Sequence, residues 1–294
     1  MSKRKQDRKS KQKAKKEKRR QEKLLEAERM LTIQRANWSA PDVAANFLTS
    51  ANFQSDSPFC NYTKHNVSVH LECASPAELS AADLDTLYEL TYHNMHEQYE
   101  RAAETDPQQW SWSEKKKRAE MAHPEARYLI ARATTITDTP STIVGFAHIR
   151  FELEGMVEVT YVYELQLAEA AQKHGLGKRM MQLIELVSNK LDMKWVMLTV
   201  FKENVAASTF YSKLKYEMDE TDPSLCDETA TDEPAVYNIL SKCVNKEMKA
   251  QAAAMKYLNQ AVAEDIRLEE AEAAAGKTER TPTKVALSQK KMSP

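Results

Sequence analysis

The stretch Gln172-Lys173-His174-Gly175-Leu176-Gly177-Lys178 has the residue types needed to hold a pyrophosphate. It lies between a run of strand alternation and a run of helical spacing. Glycines at 175 and 177 let the backbone turn sharply and approach a ligand with no Cβ in the way. The first amides of a helix opening at Lys178 lack intrahelical partners, and the positive end of the helix dipole lies behind them. Such a helix start stabilises an anion. Lys173, His174, Lys178 and Arg179 add basic side chains. The same residues also read as a tight strand-to-helix connection and nothing more, because Gly-x-Gly is a short motif. A P-loop is excluded, since the chain has no G-x-x-x-x-G-K-[ST], and only two of the three Rossmann glycines are present. A second chemical signal is acidic. Glu152 and Glu154, two apart on one strand, aim the same way at a spacing of about 6.5–7 Å.

These residues need elements to position them. Val67, Val69 and Leu71 alternate with polar residues, so 66–73 is an expected strand. Ser80 is a candidate N-cap for a helix carrying Leu84, Leu87, Thr91 and Met95, and Ser113 for a short charged helix through Ala122, stopped by Pro124. Arg127–Ala133 and Thr142–Glu154 read as strands joined by the turn Asp138-Thr139-Pro140-Ser141. Val157 to Leu167 is a third, with Val157, Val159, Tyr161, Tyr163, Leu165 and Leu167 on one alternating face. Lys178–Leu191 is an amphipathic helix, Trp195–Phe201 a strand, Asn204–Leu214 a helix and Ala235–Ser241 a last strand. Residues 24–60 begin with a mild helical pattern over Leu24–Ile33 and continue as turn-rich polar sequence. Lys246–Ala275 reads as a long helix with the narrow stripe Met255, Leu258, Val262 and Ile266.

The chain has 294 residues, 42% hydrophobic and 29% charged, which supports a packed core and excludes a wholly disordered chain. No run approaches the ~18–20 apolar residues of a membrane span, so a soluble protein is expected. The basic N-terminus has no apolar h-region behind it, so it does not read as a secretory signal. Four cysteines with no C-x-x-C pair point away from a zinc site or a disulfide scaffold, and toward a reducing compartment. The net charge of −1 is polarised: residues 1–20 carry +10 and the remainder −11. Residues 1–23 therefore read as a loose or solvated helical tail, suited to nuclear import, to a polyanion or merely to solubility.

The order strand, Gln-x-x-Gly-x-Gly, amphipathic helix, strand, Asn-x-x-Ala-x-x-x-Tyr resembles the Gcn5-related N-acetyltransferase (GNAT) superfamily. Here the pieces are Tyr161–Leu167, Gln172–Gly177, Lys178–Leu191, Val196–Phe201 and Asn204–Tyr211. The runs Tyr128–Ala131, Tyr163–Leu167, Gly175–Lys178 and Val196–Lys202 are similar to the NatD type of histone N-alpha-acetyltransferase within it. So is Trp110-Ser111-Trp112 before a Lys/Arg-rich helix ending at Met121. The likeness covers about residues 60–243. Residues Ala102–Gln109 are additional to the pattern.

The resemblance implies an α/β (α+β) GNAT fold: a mixed, mostly antiparallel sheet flanked by helices, with N- and C-terminal extensions. The chain then divides into a basic tail and helical segment (1–60), the acetyltransferase domain (61–245) and an Ala/Glu-rich extension (246–294). The resemblance also implies acetyl-CoA as co-substrate and no metal. The backbone of Leu165, Gln166 and Leu167 would meet the pantetheine arm. Gln172, Lys173, His174, Gly175, Leu176, Gly177 and Lys178 would wrap the pyrophosphate, and Asn204 would touch the cofactor. Glu164 would be the catalytic base, with Tyr163 beside it. Strict alternation places Glu164 on the face opposite Tyr163, so this role requires a bulge. Tyr99, Trp110, Glu152, Glu154, Tyr161, Tyr163, Thr199 and Tyr237 would form the substrate site, Glu152 occupying an aspartate position of the type. Tyr211 stands where other members of the superfamily have a general acid, but the NatD type has phenylalanine there, so an essential role is not expected.

The implied reaction is direct acetyl transfer, without an acyl-enzyme, to the N-terminal serine amine of histones beginning Ser-Gly-Arg-Gly: histone H4 and the A-type H2 histone. The implied protein is a monomer of nucleus and cytoplasm, with no membrane partner and no need of nucleic acid. Two other readings compete: a GNAT enzyme acting on lysine or another amine, and a non-catalytic nucleic-acid-binding protein using the basic tail. The acidic body weighs against the last.

Overall fold

The computed structural model describes residues 2–48, 60–64, 67–134, 142–226 and 235–250, with side chains described from residue 14 and not over 41–48. The chain divides into two compact units, Met1–Asn245 and Lys246–Pro294. Of the second, residues 246–250 are described and are helical. The expected stripe from Met255 to Ile266 and the expected turn Asp138–Ser141 lie outside the described residues. Among the described residues, no helix is long and apolar enough to cross a membrane, and no group of three or more His, Cys, Asp or Glu is placed to hold a metal ion.

Strands β1 (Asn61–Lys64), β2 (Val67–Ala74), β3 (Arg127–Ala133), β4 (Ile143–Glu154), β5 (Val157–Leu167), β6 (Trp195–Phe201), β7 (Glu217–Met218) and β8 (Tyr237–Cys243) form one sheet. Its order is β1-β2-β3-β4-β5-β6-β8-β7. All pairings are antiparallel except β5 with β6. This is the mixed, mostly antiparallel sheet that was expected. Both faces are covered, so β3 reads as a continuous apolar run. Leu129 and Ala131 join a core with α1 (Ser2–Leu48) and α5 (Leu176–Lys190). Tyr128 and Ile130 join another with α2 (Ala81–Thr105) and α4 (Glu114–Met121).

The helix starts follow their caps. Ser80 Oγ accepts from the Asp83 N–H at 3.1 Å and Ser113 Oγ from the Lys116 N–H at 3.3 Å. The additional residues Ala102–Gln109 are absorbed by the end of α2 and by α3 (Pro107–Trp110), capped by Asp106. Helix α5 opens at Leu176 rather than Lys178, because Gly175 takes a left-handed φ of 88° and turns the chain straight into the helix.

The turn-rich reading of residues 34–48 is corrected, because α1 runs unbroken from Ser2 to Leu48. Tertiary packing carries it: Ile33, Ala36 and Ala40, at helical spacing, are buried in the core. Pro41 has no N–H to give the Asn37 carbonyl. Arg127 Nη2 donates to that carbonyl instead, at 3.0 Å. The side chains of residues 14–28 are exposed. Removal of residues 1–23 should therefore leave the thermal midpoint unchanged. Ala36→Leu, by contrast, should overpack the core and cost about 1–3 kcal/mol in urea denaturation. Equal effects would place the anchor elsewhere.

Candidate functional site

Strands β5 and β6 pair only from Val159↔Trp195 to Val162↔Leu198. Beyond Val162 they part, and a cleft of about 1040 Å³ opens between them. The parting coincides with a bulge. His148 of β4 faces Glu164 and Ile149 faces Val162, so Tyr163 is the extra residue of β5. The single alternating face expected for Val157–Leu167 is thereby corrected. Leu165 and Leu167 pack toward the core that holds Phe151 and α5. Tyr163 and Glu164 turn together toward the face of His148 and Arg150: Tyr163 stacks on His148 at 5.0 Å, and Arg150 lies 4.4 Å from its ring centre. The bulge that the role of Glu164 requires is present.

On the cofactor side, the Ala168 N–H donates to the Val144 carbonyl at 2.9 Å. Alternation then turns the backbone of Gln166 toward β4 and that of Leu165 and Leu167 toward the gap. The Leu167 carbonyl accepts from Asn94 Nδ2 at 3.1 Å and Gln172 Nε2 at 3.0 Å. The groups of this edge with the right direction for a strand-like ligand are thus Leu165 N–H and C=O and Leu167 N–H. Gln166 meets the site through its side chain.

Lys173 and Gly175 both have positive φ, 62° and 88°, and Gln172, Lys173, Gly175, Gly177 and Lys178 line the cleft. Tyr62 of β1 pins the turn, its hydroxyl donating to the His174 carbonyl at 2.6 Å. Leu176 is buried in the core. A Cβ on Gly177 would meet Phe210 at 3.4 Å and Leu167 at 3.5 Å, ordinary contacts between helix and strand. Asn204 lines the cleft, but its side chain caps α6 (Val205–Lys213), accepting from the Ala207 N–H at 3.0 Å.

Where β4 and β5 line the cleft, Tyr163 donates to Glu152 Oε1 at 2.8 Å, and Tyr161 and Thr199 hydroxyls are 2.5 Å apart. Trp110 packs edge-on to Tyr99 and Phe201 and lies 5.2 Å from Tyr237. Tyr99 reaches the site despite the longer connection after it. Burial raises the Tyr99 hydroxyl to about 12, and burial with Glu152 beside it raises that of Tyr163. Burial, then the charges of Glu152 and Asp219, raise the Glu154 carboxyl. Tyr211 is buried against Phe210 and Tyr216, and burial raises its hydroxyl.

Sequence reasoning missed several residues that contact these side chains. Lys117 of α4 donates to Glu164 at 2.9 Å and to Glu120 at 2.8 Å. Burial alone would lower its pKa, but the charges of Glu164, Tyr99 and Glu120 outweigh burial and raise it. His148, flat between Tyr128 and Tyr163, is pushed down to about 3 by burial and then by the charges of Arg150 and Lys117, and is neutral. Asn94 holds Gln166 Oε1 at 3.0 Å.

The two glycines make a testable contrast. Gly175→Ala meets both a left-handed φ and the Tyr62 hydroxyl at 2.7 Å. The φ term alone costs about 1–2 kcal/mol. Coenzyme A affinity by calorimetry should fall in Gly175→Ala, and Gly175→Ala with Tyr62→Phe should recover only the steric part. Gly177→Ala should stay near wild-type stability. The reverse ranking would show that the turn is not held by these two constraints.

Residues 84–216 match the model of the acetyltransferase (GNAT) family. The chain is similar in fold to solved structures of low identity. One is a GNAT-family acetyltransferase from Listeria monocytogenes (10% identity, 62% of this chain and 99% of that one, TM-score 0.43). Another is Arabidopsis thaliana NAA60 in complex with acetyl-CoA (12%, 60% and 98%, TM-score 0.43). A third is nourseothricin acetyltransferase, of whose length the chain spans 66% (21%, 41% of this chain, TM-score 0.33). The matched residues contain the parted strands, the glycine turn and the helices around the cleft, and over them the chain is similar to the acetyltransferase (GNAT) family.

Proposed function

We propose that the protein is an N-alpha-acetyltransferase of the NatD type, acetylating the terminal serine amine of histones that begin Ser-Gly-Arg-Gly. The observation that carries this reading is the pairing of a carboxylate and a tyrosine, Glu164 and Tyr163, turned by one bulge into a cleft also lined by Glu120, Glu152 and Glu154. An acidic cleft attracts a cationic peptide terminus. Acetyl-CoA, when bound, supplies the thioester acyl group. Leu165 and Leu167 offer backbone groups along its path, and the turn at Gly175 offers amides and basic side chains to its phosphates.

The chain's own residues then act on the amine. Glu152, already bonded to Tyr163, and Glu154 hold the arriving ammonium and the arginine. Glu164 takes the amine's proton. A terminal amine titrates near ~7.7–8.0 and a lysine near ~10.4, so the terminal amine is easier to neutralise by about 2.5 units. The aromatic walls Tyr99 and Trp110, with Tyr237 packed against Trp110, suit a terminus whose second residue is glycine. The basic run of residues 1–20 supports entry to the nucleus.

Radiolabelled transfer to Ser-Gly-Arg-Gly peptides tests the reading. A peptide with a blocked terminus should be inert, and equal labelling of a blocked, lysine-bearing peptide would overturn the terminal specificity. Glu164→Gln should lower kcat by about 10²–10⁴, the range for a positioned base, with acetyl-CoA affinity unchanged. Retained turnover would move the base elsewhere.

Arginine recognition should depend on Glu154. Exchanging the peptide arginine for alanine should raise KM more in wild type than in Glu154→Ala. Because the Glu154 carboxyl is raised, it loses its charge at a higher pH than an ordinary carboxylate. The preference for arginine should therefore fade early as pH drops and be complete at neutral pH and above. A preference equally strong at acid pH would sink the assignment.

A further inference from the structure

Glu164 is held at both carboxylate oxygens. Lys117 Nζ donates to Oε1 at 2.9 Å and Gln166 Nε2 to Oε2 at 2.7 Å. Lys117 is held in turn by Glu120 Oε1 at 2.8 Å, and its side chain is 9% exposed, that of Glu164 5%. The lysine comes from α4 and the glutamate from β5, 47 residues apart, so the contact joins two separate elements across the cleft. The basic side chains of the glycine turn, Lys173 and Lys178, belong to the phosphate end, and Lys117 has no part in that cradle.

We propose that Lys117 is a positioning residue for acetyl transfer: clamped between Glu164 and Glu120, its ammonium holds the Glu164 carboxyl aimed into the cleft, and it acts on the amine only through Glu164. The inference rests on the reading of Glu164 as the proton acceptor. Its physical basis is the cost of burying a charge. A carboxylate withdrawn from water and stripped of its cation takes up a proton instead, and a carboxylic acid cannot accept one from an amine. The remaining groups around the pair do not supply the missing cation. Tyr99 of α2, Tyr128 of β3, Tyr163 of β5 and Tyr211 of α6 are hydroxyls raised by burial. His148 of β4 is neutral. Arg150 of β4 donates to the Glu120 backbone carbonyl and lies over the Tyr163 ring.

The test uses the full chain with Lys117→Met, Lys117→Arg, Glu164→Gln and the double variant Lys117→Met with Glu164→Gln. In Lys117→Met the acid limb of kcat should move upward by about 1–3 pH units, the effect of removing an opposite charge at short range, with little change in peptide KM. Lys117→Arg should return the limb toward wild type. In the Glu164→Gln background, Lys117→Met should cost about threefold or less, since residues that act as a unit are not additive. A lower kcat with an unmoved limb, or additive losses in the double variant, would overturn the proposal. Infrared difference spectra against Glu164→Gln give a readout free of turnover. In a pH series, the change of Glu164 from carboxylate to carboxylic acid should fall at higher pH in Lys117→Met than in wild type, by the same shift as the kcat limb, and an unmoved midpoint would also overturn it. If wild type labels no amine, the acetyltransfer reading falls while the spectra still judge the ion pair.

Discussion

One extra residue in β5 governs the geometry of the cleft. A regular antiparallel ladder between β4 and β5 would send Tyr163 and Glu164 to opposite faces. With Tyr163 left over at the bulge, both face His148 and Arg150, and the residues after it exchange faces. A bulge also bends its strand and increases local twist. Here that change falls where pairing with β6 ends, at Val162. The backbone groups of Leu165 and Leu167 are left facing the gap, while Leu165 and Leu167 side chains pack into the core beside α5. One local irregularity thus sets the direction of Tyr163 and Glu164, leaves a strand edge without a partner, and keeps the sheet anchored.

A buried carboxylate at the end of such a strand has an energetic cost, and the surroundings of Glu164 show how it is met. Ion pairs withdrawn from water roughly break even at best, but removing one partner of a buried pair costs about 3–5 kcal/mol. Lys117, Glu120 and Gln166 are therefore part of what keeps α4 against the sheet as well as part of the site. The trio of Lys117, Glu120 and Glu164 carries a net negative charge, to which Glu152 and Glu154 add.

Much of this was legible in the amino-acid pattern, and the exceptions have physical reasons. Alternation and spacing located β2 to β6 and β8 but not the edge strand β1, and Ser80 and Ser113 announced their helices, because these signals are local. Glycine spacing and basic flanks marked the turn at 172–178. The bulge was not legible from alternation, which is blind to an inserted residue; it was required only by the role of Glu164. Lys117 was hidden among Lys115, Lys116 and Arg118, since a charge run does not say which member faces inward; its one clue was Met121, a turn further on. Residues 34–48 failed for the opposite reason. Trp38, Ser39 and Pro41 are poor helix signals, and burial of Ile33, Ala36 and Ala40, with Arg127 serving the Asn37 carbonyl, overrides them. Gln166 and Asn204 matched by motif, but their bonds within the fold give Gln166 a side-chain role and Asn204 a capping one.

The cleft is electrically two-ended. At the glycine turn, Lys173, Lys178 and the amides opening α5 present positive charge, and Tyr62 fixes the left-handed backbone that aims them. Where β4 and β5 face α4, Glu120, Glu152, Glu154 and Glu164 outnumber Lys117. A phosphate-bearing acyl donor and a cationic amine are each drawn to one end and disfavoured at the other, so charge alone sets the order in which they lie. In the proposed reaction the acyl donor and the amine would then meet between the ends, beside Tyr163 and Glu164. Neither end could be formed by a regular sheet: the first needs a strand edge without a partner, the second needs two neighbouring residues on one face, and the bulge at Tyr163 meets both requirements at once.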